Sequence, residues 1–279
     1  MAGPFSGVPV GEALTSAQIA LAGAGIDTPR LDAEVLLAHV LGVERTRLSL
    51  MRDTPVEGPA VRAFQTAVRR RSVERMPVAY LTQTKGFRHL DLHVDPRVLI
   101  PRPDTEALVE WAVSRLPRGA RVLDVGTGSG AIALALKDER PDLEVLATDV
   151  SAGAVAVARA NAQRLGLEVT FAQGDLLAGL TADAVVSNPP YVEAGASLAP
   201  EITAHEPPQA LFAGADGLDV LRRLVPAIRA GPTRFAGLEV GASQAGAVRA
   251  LWAGGAVSWE TDVGRDLAGR ERVVIAWRP

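Results

Sequence analysis

The sequence predicts an α/β protein: a mostly parallel sheet with helices on both faces, preceded by a small helical bundle and a β-hairpin linker. Three observations carry this. From about residue 104, strand-like and helix-like runs alternate, as they do when a parallel sheet is wound. The first 80 or so residues show only helical spacing. Between the two lies a stretch with period-two alternation.

Taken in order, LTSAQIALAGAGI and RLDAEVLLAHVLG repeat apolar residues at helical spacing, and Gly25 and Gly42 sit where those helices should stop. A third helix over AVRRRSVER ends before Met76-Pro77, and no strand signal occurs in this part. In FRHLDLHV, Leu90, Leu92 and Val94 alternate with polar residues, with Phe87 out of phase; RVLI follows the turn signal Asp95-Pro96. The two together predict the hairpin. Seven further strands follow: RVLDVG, LEVLATD, EVTFAQGD, DAVVSNPP, RFAGLEVG, AVSWETDV and RVVIAWRP. Helices fall on SGAIALALKDE, AGAVAVARANAQRL, GLDVLRRLVPAIRAG and GAVRALWAGG. The expected division is 1–80 helical, 81–103 hairpin linker and 104–279 sheet domain.

A chain of 279 residues can bury a core without covalent staples. It has no cysteine, which excludes disulfides and thiolate metal sites. Of four histidines, only His89 and His93 are four apart. On a strand they would stand roughly 13 Å from each other, too far to share a metal, so no metal is expected. The opening MAGPFSGVPVGEALT lacks a basic n-region and a long apolar core, and apolar runs elsewhere are short or broken by charge. No signal peptide and no membrane span are expected, and the cytoplasm is the expected compartment. A net charge of -3 argues against a dedicated binder of duplex nucleic acid. Arg69-Arg70-Arg71, with Arg75 nearby, read as the solvated face of a helix or as a surface for an anionic partner.

LDVGTGSGAIAL brings Asp124 out of a strand, alternates Gly126, Gly128 and Gly130, and opens a helix. Alternating glycines permit positive φ and let a ligand approach the main chain. The spacing is G-x-G-x-G rather than the G-x-G-x-x-G of NAD sites. Asp149 ends the next strand, where a carboxylate can accept from both hydroxyls of a ribose. Asp175 ends the third strand, where an acid suits the exocyclic amine of adenine. Each aspartate alone also reads as a helix N-cap. Three such features at successive strand ends mark the edge where parallel sheets bind ligands. The loop and its acids resemble the Rossmann-like S-adenosylmethionine-dependent methyltransferase fold over residues 104–279. That resemblance implies that Gly126, Thr127, Gly128, Ser129 and Gly130 wrap the methionine part, Asp149 holds the ribose, and Asp175 with Leu176 flanks the adenine.

The fourth strand runs into Asn188-Pro189-Pro190-Tyr191. Neither proline has an N–H, so the ladder stops there and the Pro189 carbonyl is left as an acceptor. The Asn188 side-chain oxygen is a second acceptor. Two fixed acceptors suit a planar –NH₂, and the Tyr191 ring can pack on its face. The loop, Asn188 included, would face the cofactor's methyl group and reads as a receptor for a primary amide or an aromatic amine. Catalysis would be positioning and electrostatics rather than base chemistry. The plain alternative is that the prolines end a strand and Tyr191 fills core.

Further segments resemble the HemK/PrmC family, the glutamine methyltransferases of peptide chain release factors. They are Pro29–Gly42, Pro77–Ala112 with the distinctive run Ile100–Glu106, His205–Leu224, Leu238–Gln244 and Asp266–Val274. The resemblance implies methylation of the glutamine of a Gly-Gly-Gln motif in release factors, with S-adenosyl-L-methionine consumed and S-adenosyl-L-homocysteine released. It implies a helical N-terminal docking module whose arginine cluster could meet an acidic patch on the release factor. It also places Phe87 beside cofactor and substrate, although Phe87 reads equally as hairpin core. A monomer, with no membrane and no direct nucleic-acid partner, is expected. Gln83 stands where the family usually has glycine, which puts the local turn geometry in question. Residues up to about Val8 match nothing in the family and are expected to be disordered. Three alternatives are a ribosomal-protein glutamine methyltransferase, a nucleic-acid adenine amino methyltransferase, and a cofactor-binding protein without catalysis. Acidic charge and few aromatics count against the second of these, and the intact Asn188–Tyr191 against the third.

Overall fold

The computed structural model describes residues 7–254, 257–266 and 268–278. Two units emerge. One takes the chain up to Gln83 together with Leu198–His205; the other takes Thr84–Ser197 and the chain from Glu206 onward. The expected three segments are thus corrected twice. The hairpin belongs to the sheet unit, and a short later segment belongs to the helical one.

The helical unit contains β1 (Val8–Pro9), α1 (Val10–Gly23), α2 (Pro29–Leu41), β2 (Pro55–Val56), α3 (Pro59–Val73) and α4 (Val78–Thr82). Leu21, Leu36, Leu37, Phe64 and Val68 form its core. Gly42 stops α2 in the left-handed region at φ 64°. The absence of strands was a wrong expectation: Val8 pairs with Val56 and Pro9 with Pro55, antiparallel. Pairs of two residues are too short for periodicity to register. The expectation of disorder for the first residues otherwise lies outside the described residues. Gln83 caps α4 at φ 54°, ψ 25°. The left-handed turn is kept without the glycine that would adopt it freely, at roughly 1–2 kcal/mol.

Arg71 departs from the solvated-face reading. Helix α3 buries Phe64, Val68 and Arg71, which share one face. Arg71 Nε donates to Asp32 Oδ2 at 2.7 Å, and Nη2 to Glu201 Oε1 at 3.4 Å. Arg75 Nη2 lies 3.6 Å from Glu201 Oε2. Arg69 and Arg70 do face water, and among the described residues both pair with Glu74.

The sheet unit begins with a hairpin of β3 (Thr84–Phe87) and β4 (Leu90–His93). The expected hairpin had its turn at Asp95-Pro96 and RVLI as its second strand; both are corrected. The chain turns at Arg88 (φ 52°), whose guanidinium makes two 2.7 Å bonds to Glu139. Phe87 broke the alternation because it lies before that turn. Ile100 N–H donates to the Glu206 carboxylate instead of a ladder.

Then come α5 (Glu106–Arg115), β5 (Arg121–Val125), α6 (Ala131–Glu139), β6 (Glu144–Asp149), α7 (Ala152–Leu165), β7 (Thr170–Gln173) and β8 (Ala184–Ser187). The chain ends with α8 (Pro200–His205, in the helical unit), α9 (Asp219–Ala230), β9 (Phe235–Glu239), α10 (Ala245–Trp252), β10 (Glu260–Arg265) and β11 (Glu271–Trp277). Helices α5 and α8 were not anticipated. The seven-stranded sheet has the order β10-β11-β9-β8-β5-β6-β7. All neighbours are parallel except the two pairs made by β11. Strand alternation feeds two cores. Val122, Ala184 and Val186 enter one, with Leu134, Leu136 and Trp111; Leu123, Val125 and Val185 enter the other, with Leu221, Leu224 and Trp252. Among the described residues no helix is long and apolar enough to cross a membrane.

Candidate active site

Sheet register sets the site. Val125 is paired with Thr148 on one side and with Ser187 on the other. The next residue of each chain is therefore Gly126, Asp149 and Asn188, side by side where the three strands end. The row is pinned by the Ser187 hydroxyl, which donates to the Val125 carbonyl at 2.6 Å, and by Gly126 N–H, which donates to the Thr148 carbonyl at 2.8 Å. The chain winds outward from β5 to β6 and β7, then returns to place β8 on the other side of β5. Such reversals open a crevice at the strand C-termini.

A cavity of about 280 Å³ occupies that crevice. Of the sequence-derived residues, Gly126, Gly128, Asp149, Asp175, Leu176, Asn188, Pro189 and Pro190 line it. Gly126 and Gly128 have φ of 74° and 57°, and a Cβ on either would meet no neighbour within 4 Å. The glycines are thus required by backbone angle, and they leave main chain open to a ligand. Asp149 Oδ2 accepts from Gly128 N–H and Oδ1 from Ser151 N–H, both at 2.9 Å. Each oxygen keeps a lone pair to spare. Burial pushes the Asp149 carboxyl up, and the two N–H groups pull against that. These residues fit a ribose diol beside an open glycine main chain, which is the donor and acceptor set an S-adenosylmethionine needs.

Other expected residues lie elsewhere. Thr127 and Ser129 are buried beneath the loop. The Thr127 hydroxyl donates to Asp124 Oδ2 at 2.7 Å, and the Ser129 carbonyl accepts from Asn161 Nδ2 at 2.9 Å. Gly130, at φ 86°, has Leu134 and Ala158 against it. Phe87 is 1% exposed and sits in the core beside Leu90 and Leu92, away from the cavity lining. This is the hairpin-core one of its two readings. Tyr191 does not line the cavity either. Its hydroxyl donates to Glu239 Oε1 at 3.1 Å, and burial together with that carboxylate holds the phenol well above its ordinary pKa. Asp175 lines the cavity with its carboxylate paired to Arg223. It stands two residues past the end of β7 rather than at it.

The proline loop is braced from several sides. Asn188 Nδ2 donates to Thr105 Oγ1 at 2.9 Å. Gln244 Nε2 donates to the Tyr191 carbonyl at 3.0 Å. Val192 N–H donates to the Leu211 carbonyl, and Ala213 N–H to the Val192 carbonyl. Asn188 Oδ1 and the Pro189 carbonyl take no hydrogen bond from the described residues, so two acceptors remain available at the cavity wall.

Sequence reasoning gave no role to Asp124, Asn161, Thr105 or Glu239. Burial pushes Asp124 up to about 7, against the Thr127 hydroxyl and Ala133 N–H. Asn161 Oδ1 accepts from His93 N–H at 2.8 Å while Nδ2 holds Ser129, tying the hairpin to the glycine loop. A lone acid inside an otherwise apolar strand, as in FAGLE, was the available signal for Glu239. Among the described residues no group of three or more His, Asp or Glu could hold a metal ion.

Comparison with known proteins agrees with this geometry. The PrmC N-terminal domain family matches residues 12–82, and the Methyltransferase small domain family matches residues 103–215. A solved methyltransferase from Pyrococcus furiosus shares the fold, with a TM-score of 0.50 at 18% identity over 68% of this chain and 88% of its own. The release factor glutamine methyltransferase of Mycolicibacterium smegmatis is 47% identical over 219 residues, 76% of this chain and 77% of that protein. That of Deinococcus radiodurans is 42% identical over 273 residues, 95% of this chain and 97% of that protein. With near end-to-end identity at this level, the chain belongs to the release factor glutamine methyltransferase family.

Proposed function

We propose that the protein transfers a methyl group from S-adenosyl-L-methionine to the side-chain amide nitrogen of the glutamine in the Gly-Gly-Gln motif of peptide chain release factors. The cofactor supplies an electrophilic methyl on a sulfonium, and S-adenosyl-L-homocysteine remains. Asp149 accepts from the ribose hydroxyls with the lone pairs that Gly128 and Ser151 leave over. Asp175 and Leu176 flank the adenine, and Gly126 and Gly128 let the methionine part lie against main chain.

The acceptor amide is a poor nucleophile, because its nitrogen lone pair is delocalised. Asn188 Oδ1 and the Pro189 carbonyl accept its two hydrogens and aim the nitrogen along the line of attack. Both oxygens are fixed before substrate arrives, so they stabilise the positive charge that grows on nitrogen without reorganising. No strong base is needed, because the nitrogen-bound proton becomes acidic only after transfer and then leaves to water. Tyr191 supports the loop through Glu239 instead of stacking on the amide. The protein acts in this reading as a cytoplasmic monomer with the release factor as its partner.

The observation that carries the reading is the pair of available acceptors on Asn188, in the row that Gly126 and Asp149 share, and on Pro189, one residue beyond it. Methyl transfer from labelled cofactor tests it, with four acceptors: release factor, the same factor with that glutamine changed to alanine, bulk ribosomal protein, and nucleic acid. Label on the intact factor alone is expected. Asn188→Ala should cost roughly 10²–10³ in kcat, as for loss of one preorganised group, while cofactor affinity stays within about threefold. Label on ribosomal protein or nucleic acid instead, or normal turnover by Asn188→Ala, refutes the assignment.

A further inference from the structure

The Ile100–Glu106 run contains a threonine whose side chain is spent in an unusual way. Thr105 is 4% exposed and immediately precedes α5, where a threonine ordinarily accepts a hydrogen bond from the first-turn N–H groups. It makes no such cap. Its Oγ1 instead accepts from Asn188 Nδ2 at 2.9 Å, 83 residues along the chain. A hydroxyl has one proton and two lone pairs. With Asn188 on a lone pair, the proton needs its own acceptor.

The buried Glu239 carboxylate is the group that offers one. Thr105 is the first of the groups that favour its charged form, ahead of Tyr191. Glu239 is fully buried; Oε1 takes the Tyr191 hydroxyl at 3.1 Å, and Oε2 has no close hydrogen-bond donor. The Thr105 proton and Glu239 Oε2 are thus a donor and an acceptor that no other group among the described residues takes up.

We propose that Thr105 and Glu239 are positioning residues that fix the polarity of Asn188, committing its –NH₂ to the interior and leaving Oδ1 as the acceptor in the cavity. The inference rests on the amide-methylation reading. An asparagine side chain is nearly symmetric in shape but not in hydrogen bonding. Flipped, Asn188 would turn Oδ1 onto Thr105 Oγ1, acceptor against acceptor, for as long as Glu239 keeps the Thr105 proton. It would also present two N–H donors to a substrate group that itself only donates. The orientation therefore decides whether the amide is held at all, and the chain Glu239–Thr105–Asn188 decides the orientation.

This device responds to pH. Burial pushes Glu239 up to about 7. The groups around it are Thr105, Tyr191, Asp104, which raises it further, and Arg272, which lowers it. Arg272 is itself shared between Asp104 and Asp266, at 3.1 Å from each. Once protonated, Glu239 can donate to Thr105, whose own proton is then released toward Asn188 and favours the flipped amide. Activity should fall on the acid side of about pH 7 for that reason.

The test compares wild type, Thr105→Val, Thr105→Ser and Glu239→Gln in methyl transfer to release factor across pH, alongside calorimetric cofactor binding and thermal unfolding. Thr105→Val should lower kcat at least about tenfold, as misplacement of a positioning group does, with cofactor affinity within about twofold. Thr105→Ser, which keeps the hydroxyl, should recover most of that loss. Glu239→Gln should be slow at every pH and lack the acid limb of the wild-type profile. The proposal is overturned if Thr105→Val keeps its kcat, if Thr105→Ser is as slow as Thr105→Val, or if Glu239→Gln keeps the acid limb. It is equally overturned if Thr105→Val loses cofactor binding and thermal stability in parallel with activity. A wild type that binds cofactor but never labels release factor brings down the methylation reading and this inference with it. An active wild type beside an equally active Thr105→Val brings down the inference alone.

Discussion

Replacing Asp149 gives a quantitative check on the cofactor half of the site. Its two oxygens each accept one backbone N–H, from Gly128 and from Ser151, at 2.9 Å. One lone pair per oxygen is left for the ribose. In Asp149→Ala those charge-assisted bonds are lost, while the backbone donors can turn to water. Hydrogen bonds to a charged group contribute about 1.5–3 kcal/mol, and two on one diol are not additive, so the same range serves for the pair. At 1.4 kcal/mol per factor of ten, cofactor dissociation should weaken roughly 10- to 150-fold. Asp149→Asn separates shape from charge. Its single carbonyl oxygen can serve only one of the two backbone N–H groups, so its –NH₂ must face the other, donor against donor. Asparagine should therefore bind cofactor no better than alanine despite its closer shape. Titration calorimetry with S-adenosyl-L-methionine reads both constants. A dissociation constant within twofold of wild type for Asp149→Ala would remove this residue from the cofactor site, and near-normal binding by Asp149→Asn would refute the lone-pair argument.

Two more predictions concern stability. Asp124 is fully buried, and its pKa in the fold is about 7 against 3.8 unfolded. The native state holds this proton more tightly, so its favourable contribution is complete below about pH 4 and is lost as pH rises to 7. Relative to wild type, Asp124→Asn should gain stability as pH rises through that window, which thermal melts at a series of pH values will show; a pH-independent difference would contradict it. Arg71→Met strands the buried Asp32 carboxylate and should cost about 3–5 kcal/mol in denaturant unfolding followed by circular dichroism. Adding Asp32→Asn should return most of that, and a double variant no better than the single one would mean that the pair is not what Arg71 supplies.

What the sequence made legible was local. Leu123–Leu134 carries a strand, a turn and a helix start in twelve consecutive residues, so alternation and glycine spacing were enough to locate Gly126 and Gly128. Asp149 and Asn188 followed because each ends a run of apolar strand residues. What stayed hidden depends on partners far along the chain. The hairpin turn was put at Asp95-Pro96, a strong local signal, whereas Arg88 holds the turn through Glu139, 51 residues away. The brace on Asn188 comes from Thr105 and that on Tyr191 from Glu239, 83 and 48 residues away. Arg71 was a miss of another kind. It lies three residues after Val68 and seven after Phe64, on the buried stripe of α3. Helical phase alone would have marked it as inward had its charge not made the solvated reading more attractive.

The chain visits the helical unit twice, the second time through Leu198–His205. Cutting after Gln83 therefore does not free an intact N-terminal module. It strips Glu201 from Arg71 and Arg75, and it strips the Glu74 carbonyl of the His205 ring nitrogen that meets it at 2.6 Å. For recombination between relatives, the helical unit is not a cassette with one seam. Residues 71, 75 and 201 must be inherited as a set, or the exchanged unit arrives with buried charge facing the wrong company.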